Sequence, residues 1–406
     1  MADSRNSGLY GKNDMSVRTI EECFYQIRNG ANIKQGAVDG GYPITRIETT
    51  ANDRFNRDRM GYAGITDIKK YENYVLQDGD LLMSHINSTQ YLGRTVLYEK
   101  QGDEKIIHGM NLLGLKARRD IIIPAYARYC FYSQPFREQI GRITKKSVNQ
   151  ASFAVADLKK IKIIVPDLSE QCEVIDILNR VNQVIEDRQR ELRKMDDLIK
   201  ARFVELFGDE SNPMGWPVLN VEDVASVSVG VVIKPAQYYT DAEHGIRAFR
   251  SLNIGPMKIK NTDWVYFSEE GNEKNSKSIL KENDLIIVRS GAPGTACVVT
   301  KEYEGCNAID IIIAHPDTSK VNPYYLCVYT NLPHGKRQID EGTGGAAQQH
   351  FNVGKYNKLS LFLPPIEKQN EYVKFLEQVN KSKVKVQKAL DETQKLFDSL
   401  MQQYFG

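Results

Sequence analysis

Residues 166–208 read PDLSEQCEVIDILNRVNQVIEDRQRELRKMDDLIKARFVELFG, and residues 364–406 read PPIEKQNEYVKFLEQVNKSKVKVQKALDETQKLFDSLMQQYFG. The two stretches align without a gap at a constant offset of 198. In the first, Val174, Leu178, Val181, Ile185, Arg188, Leu192, Met195, Ile199, Arg202 and Leu206 recur at alternating spacings of four and three. In the second, Tyr372, Leu376, Val379, Lys383, Val386, Leu390, Thr393, Phe397, Leu400 and Tyr404 do the same. Such spacing is the seam of a coiled coil, and it predicts two long helices. A helix with so narrow an apolar stripe cannot bury it alone, and the simplest partner for each copy is the other. Packing of each helix on its own domain is the less favoured reading. Arg188, Arg202, Lys383 and Thr393 interrupt the seam, either to fix register or to reach solvent from near the helix ends.

The repeat extends beyond the helices. Between residues 150–208 and 348–406 fifteen positions are identical, among them Gln150/Gln348, Phe153/Phe351, Pro166/Pro364, Gln171/Gln369 and Phe207-Gly208/Phe405-Gly406. Upstream the offset becomes 204, pairing Gly41 with Gly245, Arg46 with Arg250 and Asp80-Leu81 with Asp284-Leu285. These upstream regions carry strand-like runs at 80–83, 95–98, 162–165 and 285–288. Short helices are expected after Pro124 and Pro323, with Tyr126 and Tyr325 as counterparts. Each upstream region reads as an α+β domain. Gly208 is placed to end the first helix, and Pro213 and Pro217 stop its continuation. A chain built from two copies presents two similar surfaces, so its target is expected to have two parts.

Composition narrows the class. Net charge is only +2, so a nucleic-acid surface has to be local. The six cysteines lie far apart without a Cys-x-x-Cys pair, which fits a reducing cytoplasmic setting and neither a zinc site nor a disulfide framework. The first residues lack the apolar core of a signal peptide, and no apolar run approaches a membrane span. No catalytic residue, phosphate-cradling loop, dinucleotide fingerprint or helix-spaced histidine pair for a metal is found. Asn322-Pro323-Tyr324-Tyr325 is close to the Asn-Pro-Pro-Tyr loop that amino-methyltransferases use on an extruded base. The missing second proline favours a proline-initiated helix instead.

The residue types suited to DNA sit in variable loops. Arg, Asn, Gln and Ser side chains read base edges, and Lys and loop amides hold phosphates. The candidates are Arg46, His85, Asn87, Arg94, Lys145 and Lys146 in the first copy. In the second they are Arg250, Arg289, Ser290, Gln349 and His350. The copies differ in these loops while agreeing in their frames, as two domains reading different sequences would.

The chain resembles the specificity subunits of type I restriction–modification systems over nearly its whole length. The resemblance rests on the Asp80 and Asp284 turns, the Gln-x-x-Phe before each last strand, and the helix starts ending in Gln171 and Gln369. The junction from Phe203 through Phe207-Gly208-Asp209 to Pro213, Gly215 and Trp216 also carries it. Lys368 departs slightly from Glu170 in the first copy. The resemblance implies an α+β fold of two similar α/β target-recognition domains, residues 1–165 and 209–363. Spacer helices 166–208 and 364–406 would separate them as an antiparallel intramolecular coiled coil with an internal pseudo-twofold. It further implies a two-part double-stranded DNA site, two modification subunits and two restriction subunits. S-adenosylmethionine, ATP and Mg would be bound by those partners, with no cofactor or metal in this chain. Two other readings remain open on the residues alone: a coiled-coil adaptor without DNA specificity, and a self-contained DNA methyltransferase.

Overall fold

The computed structural model describes residues 16–36, 41–147, 150–343 and 351–406. The chain divides into two compact units, one of residues 1–189 and 388–406, the other of residues 190–387.

In the first unit, β1 (Ser16–Thr19) is followed by β2 (Phe24–Asn29), β3 (Leu81–Ser84), β4 (Ile86–Asn87), β5 (Thr95–Leu97) and β6 (Leu112–Ala117). The main sheet has the order β2-β6-β3-β5 and is antiparallel throughout. All four residues of β3 are buried, because the strand is covered on both faces. Pro124 opens α1 (Pro124–Tyr132), and Ser133 caps α2 (Gln134–Ile143) by accepting from the Phe136 N–H. Next come β7 (Lys145–Lys146), β8 (Ala151–Ser152) and β9 (Lys162–Val165). The first strand closes on the last: β1 pairs antiparallel with β9 from Ser16↔Val165 to Thr19↔Lys162. The long helix α3 (Leu168–Phe207) follows.

The second unit repeats the frame. Its strands β10 (Val218–Asn220), β11 (Ala225–Val229), β12 (Leu285–Val288), β13 (Ala296–Val298) and β14 (Ile311–Pro316) give a main sheet of order β11-β14-β12-β13. Pro323 opens α4 (Pro323–Asn331), which leads to α5 (Pro333–Thr343). β15 (Ser360–Phe362) pairs with β10 as β9 pairs with β1, and α6 (Ile366–Phe405) ends the order. The strands and helices expected from the sequence are all present. Asn322 is a helix cap: its side chain accepts from the Tyr324 N–H at 2.9 Å and donates to Asn370 at 2.8 Å. That local role accounts for the methyltransferase-like tetrapeptide.

Each long helix is about 60 Å at ~1.5 Å per residue, and each contributes one half to either unit. All twenty seam positions are buried or half-buried. In the second unit, Tyr372 donates to the Ile199 carbonyl at 3.1 Å, Arg202 pairs with Glu371, and Lys383 pairs with Asp196. Partner numbers fall on one helix as they rise on the other, so the pairing is antiparallel. Lys383 and Arg202 are thus seam residues with ion-pair partners, whereas the Thr393 hydroxyl turns back to the Ala389 carbonyl at 2.7 Å.

The helix ends are built into the domain cores. Val174, Leu178 and Phe405 belong to the core of the first unit, with Phe397, Leu400 and Tyr404 packed against it. Ile199, Phe203, Phe207, Tyr372, Leu376 and Val379 belong to the core of the second. Each helix therefore begins in the core of its own repeat and ends in that of the other. Phe207 meets Tyr325 at 4.9 Å between ring centres, and Phe405 meets Tyr126 at 5.2 Å. At roughly 1.5–3 kcal/mol per fully buried large side chain, these ends fasten the helices strongly. The first helix stops at Gly208, whose φ of +84° suits a residue without a Cβ. A Cβ there would also lie 2.6 Å from Pro213.

Candidate nucleic-acid interface

Strand direction brings the candidate loops together. In the first domain β2 and β3 both run antiparallel to β6, with Asn29 opposite Leu113 and Ser84 opposite Leu112. Segments 30–36 and 85–94 therefore leave the same end of the sheet. In the second domain Val229 lies opposite Ile312 and Val288 opposite Ile311, so segments 230–234 and 289–295 also share one end. The segment that leads into each last strand is tied to this end. The Phe153 N–H donates to the His85 carbonyl at 3.3 Å, and the Phe351 N–H donates to the Arg289 carbonyl at 3.0 Å.

Most first-domain candidates converge there. Asn87 lies in β4, which pairs with β8, and β8 pairs with β7 carrying Lys145 and Lys146. Both lysines are exposed and make no ion pair among the described residues. Asn87 donates to Ser84 at 3.3 Å and accepts from the Ser88 N–H at 2.8 Å. Arg94 is held by Asp53 at 2.8 Å and lies over the Tyr91 ring at 4.6 Å. Arg46 is exposed, and its Nε donates to Gln35 at 2.5 Å, which ties it to segment 30–36.

His85 is different. It is only 5% exposed, its ring lies 6.4 Å from that of Phe153, and burial pushes its pKa down. It supports the loop from within and is not presented at the surface. Sequence reading placed it outside because a histidine among Ser, Asn and Gln looks like loop, whereas the β3 frame turns it inward.

In the second domain Arg289 stands where His85 stands in the first. Its side chain pairs with Asp310 at 2.5 Å and donates from Nε to the Phe351 carbonyl at 3.3 Å. Asp310 thus braces a guanidinium whose side chain is 17% exposed. Ser290 is half-buried. Arg250 matches Arg46: each backbone N–H is capped three residues on, by Asn253 at 2.9 Å and by Thr49 at 2.8 Å. The Arg250 guanidinium bonds the Asp263 carbonyl. Gln349 and His350 lie outside the described residues.

Sequence reading missed one shared feature of this end. Gly30-Ala31-Asn32-Ile33-Lys34 and Gly230-Val231-Val232-Ile233-Lys234 correspond at an offset of 200. Ala31 donates to the His108 carbonyl at 2.7 Å, and Val231 to the Ala308 carbonyl at 2.8 Å. A Cβ on Gly30 would lie 2.3 Å from the His108 carbonyl oxygen, and one on Gly230 would lie 2.4 Å from that of Ala308. The Gly-x-x-Ile-Lys recurrence was the available signal, at an offset that neither 198 nor 204 reveals.

The two paired aspartates of the turns serve the frame. Asp80 accepts from the Gln77 N–H and pairs with Lys116 at 2.7 Å; Asp284 accepts from the Lys281 N–H and meets His315 at 2.6 Å. Five of the six cysteines are buried, and burial raises the Cys23 thiol to about 11 and the Cys297 thiol to about 12. No group of three or more His, Cys, Asp or Glu among the described residues is arranged to hold a metal. No helix among them is long and apolar enough to cross a membrane.

Two repeated sheet domains, each with its variable loops gathered at one end and both fastened to an antiparallel helix pair, define a two-part recognition scaffold. The chain belongs to the type I restriction modification DNA specificity domain family, whose model matches residues 12–194 and 213–393. It is 27% identical over 389 residues to the protein described as the type I restriction enzyme MjaX specificity subunit of Methanocaldococcus jannaschii, covering 90% of this chain and 87% of that protein. The StySPI specificity subunit of Salmonella potsdam is 20% identical over 362 residues, 84% of this chain and 76% of its own. The crystal structure of a type I S subunit from M. genitalium has the same fold, with a TM-score of 0.58 at 14% identity over 98% of both chains. A second solved chain, from work on complex assembly and conformational transition of the type I R–M system, gives 0.56 at 15% identity, covering 96% of this chain and 97% of the other.

Proposed function

We propose that this chain is the DNA-reading specificity subunit of a type I restriction–modification complex. Each domain reads one half of a two-part duplex site through the loops at the shared sheet end. The antiparallel helices hold the halves at a fixed spacing and carry two modification and two restriction subunits. Chemistry belongs to those partners, which bind S-adenosylmethionine, ATP and Mg, and the complex works in the cytoplasm. The observation that carries the reading is the gathering of Asn87, Arg94, Lys145 and Lys146 in one domain, with Arg46 tied in through Gln35, and of Arg289 in the other, at equivalent ends of equivalent sheets. Phosphate-directed lysines beside base-reading amides and guanidinium groups form the pair of contact types that duplex recognition needs.

The test is a domain exchange. Residues 1–165 are replaced by the matching segment of a relative, and methylated adenines are mapped in cells carrying the complete system. One half of the mapped site is expected to change and the other to persist. A change in both halves, or in neither, overturns the assignment of one domain to one half.

A further inference from the structure

Ile233 is 78% exposed, more than any other large apolar side chain among the described residues, and Val232 beside it is 50% exposed. Their counterparts in the first domain are Ile33, half-buried against the cluster of Ala31, Ile44, Ala63, Ile68 and Ile107, and the polar Asn32. The second domain leaves the same position uncovered. The tip is nevertheless held. The Gly230 N–H donates to the Ile311 carbonyl at 2.9 Å, Val231 to Ala308 at 2.8 Å, and Asp310 back to Val231 at 3.2 Å. Lys234 follows in the left-handed region at φ +44°, and Pro235 fixes the next turn. A bulky residue keeps that conformation only where its surroundings impose it.

The tip leaves the same sheet end as Arg289, and Asp310 joins them, bonding Val231 through its backbone and Arg289 through its carboxylate. We propose that Ile233, with Val232, is an apolar base-reading contact of the second domain, directed at thymine 5-methyl groups in the major groove. The inference rests on the DNA-reading function proposed above. An aliphatic side chain cannot use the hydrogen-bonding edge of a base, but the thymine methyl is the apolar mark that the major groove displays. The flanking Lys234 and the braced Arg289 suit a polyanion whose phosphates and acceptor edges lie next to that methyl. The first domain, with Asn32 and a half-buried Ile33, lacks the contact, so the two half-sites differ in this respect.

The experiment uses the complete methyltransferase complex. Methylated sites are mapped with the wild-type chain and with Ile233→Ala, and a duplex carrying the wild-type site is then prepared. In it, each thymine of the half read by residues 209–363 is replaced singly by deoxyuridine, which removes only the methyl group. One replacement is expected to weaken wild-type binding by roughly four-fold, the burial of about one methyl, and to leave Ile233→Ala binding unchanged. Recognition of the other half by Ile233→Ala reports an intact fold. The proposal is overturned if that half-site holds no thymine, or if every deoxyuridine duplex affects both proteins alike. It is overturned too if Ile233→Ala impairs assembly with the partner subunits while site recognition persists, which marks a protein-binding face. A complex that reads no two-part site at all refutes the function itself, a distinguishable result.

Discussion

The Gln369 carboxamide accepts a hydrogen bond from the Asn322 backbone N–H at 2.8 Å, joining the first turn of α6 to the start of α4. Its nitrogen donates to the carbonyls of Pro364 and Lys320 at 2.8 and 3.2 Å. Gln171 makes the same three bonds with Ile123, Pro166 and Ile121. Both side chains are fully buried. A glutamine recurs there because it alone, at that length, offers one acceptor and two donors to three backbone groups that water cannot reach. Replacing Gln369 with Leu leaves those groups unsatisfied, at ~1–3 kcal/mol each. We expect Gln369→Leu to lose at least ~2 kcal/mol by urea unfolding, and Gln369→Glu to lose at least as much, because a buried carboxylate keeps the acceptor but sets oxygen against the Pro364 and Lys320 carbonyls in place of the donor. A loss within ~0.5 kcal/mol would show that the buried bonds contribute little.

The Lys383–Asp196 pair sits in the helix seam with side chains 28% and 46% exposed. At that exposure a double-mutant cycle should read about 0.5–1 kcal/mol. Lys383→Leu is expected to hold or raise stability, since an apolar seam residue packs at least as well. Lys383→Glu should destabilise, and Asp196→Lys in the same chain should restore the loss. If the restoring change adds to the damage, the pair does not set the register of the helices.

Helix length sets site spacing in this reading. Adding one heptad to both α3 and α6 should lengthen the gap between half-sites by ~10 Å, about three base pairs at ~3.4 Å each. A methylation map that retains the original spacer would sink the ruler role of the helices.

Lys145 and Lys146 are exposed in β7 and suit phosphate contacts. Replacing either with Ala should weaken DNA binding evenly across sequences and lower the slope of log affinity against log salt by about 0.9. A change of preferred bases with an unchanged slope would instead make that lysine a base reader.

His108 is buried with its Nε2 2.9 Å from the Leu112 carbonyl oxygen, and burial pushes its pKa down to about 4. In the unfolded chain the ring takes up a proton near pH ~6.5. Between these values the unfolded state binds more protons, so stability falls as pH drops from about 6.5 to about 4. Glu104 acts lower: its hydrogen bond from Arg57 holds the carboxyl at about 2 against an ordinary 4.5, so its contribution is lost as pH falls through that window. Urea midpoints measured across pH should decline in the upper window for the wild type and decline less steeply in His108→Gln, where the buried His85 still contributes.

Much was legible in the chain because duplication wrote the frame twice. The seam spacing identified both long helices, and Gly208, Pro124 and Pro323 marked where helices stop and start. The polar loops flanking Asp80 and Asp284 pointed to the candidate surface, since loop residues keep their local character whatever they pack against. Local spacing could not say that His85 turns inward, that Asp310 braces Arg289 from 21 residues away, or that Ile233 stays uncovered while Ile33 does not. Nor could it show that α3 ends in the core of the second domain and α6 in that of the first. Those facts depend on which distant strands share a sheet end and which apolar neighbours arrive to cover a side chain. Periodicity is a property of neighbours along the chain, so the amino-acid order determined the helices, the repeat and the family. Burial and pairing are properties of neighbours in space, so only the tertiary structure decided which loop residues face outward to read.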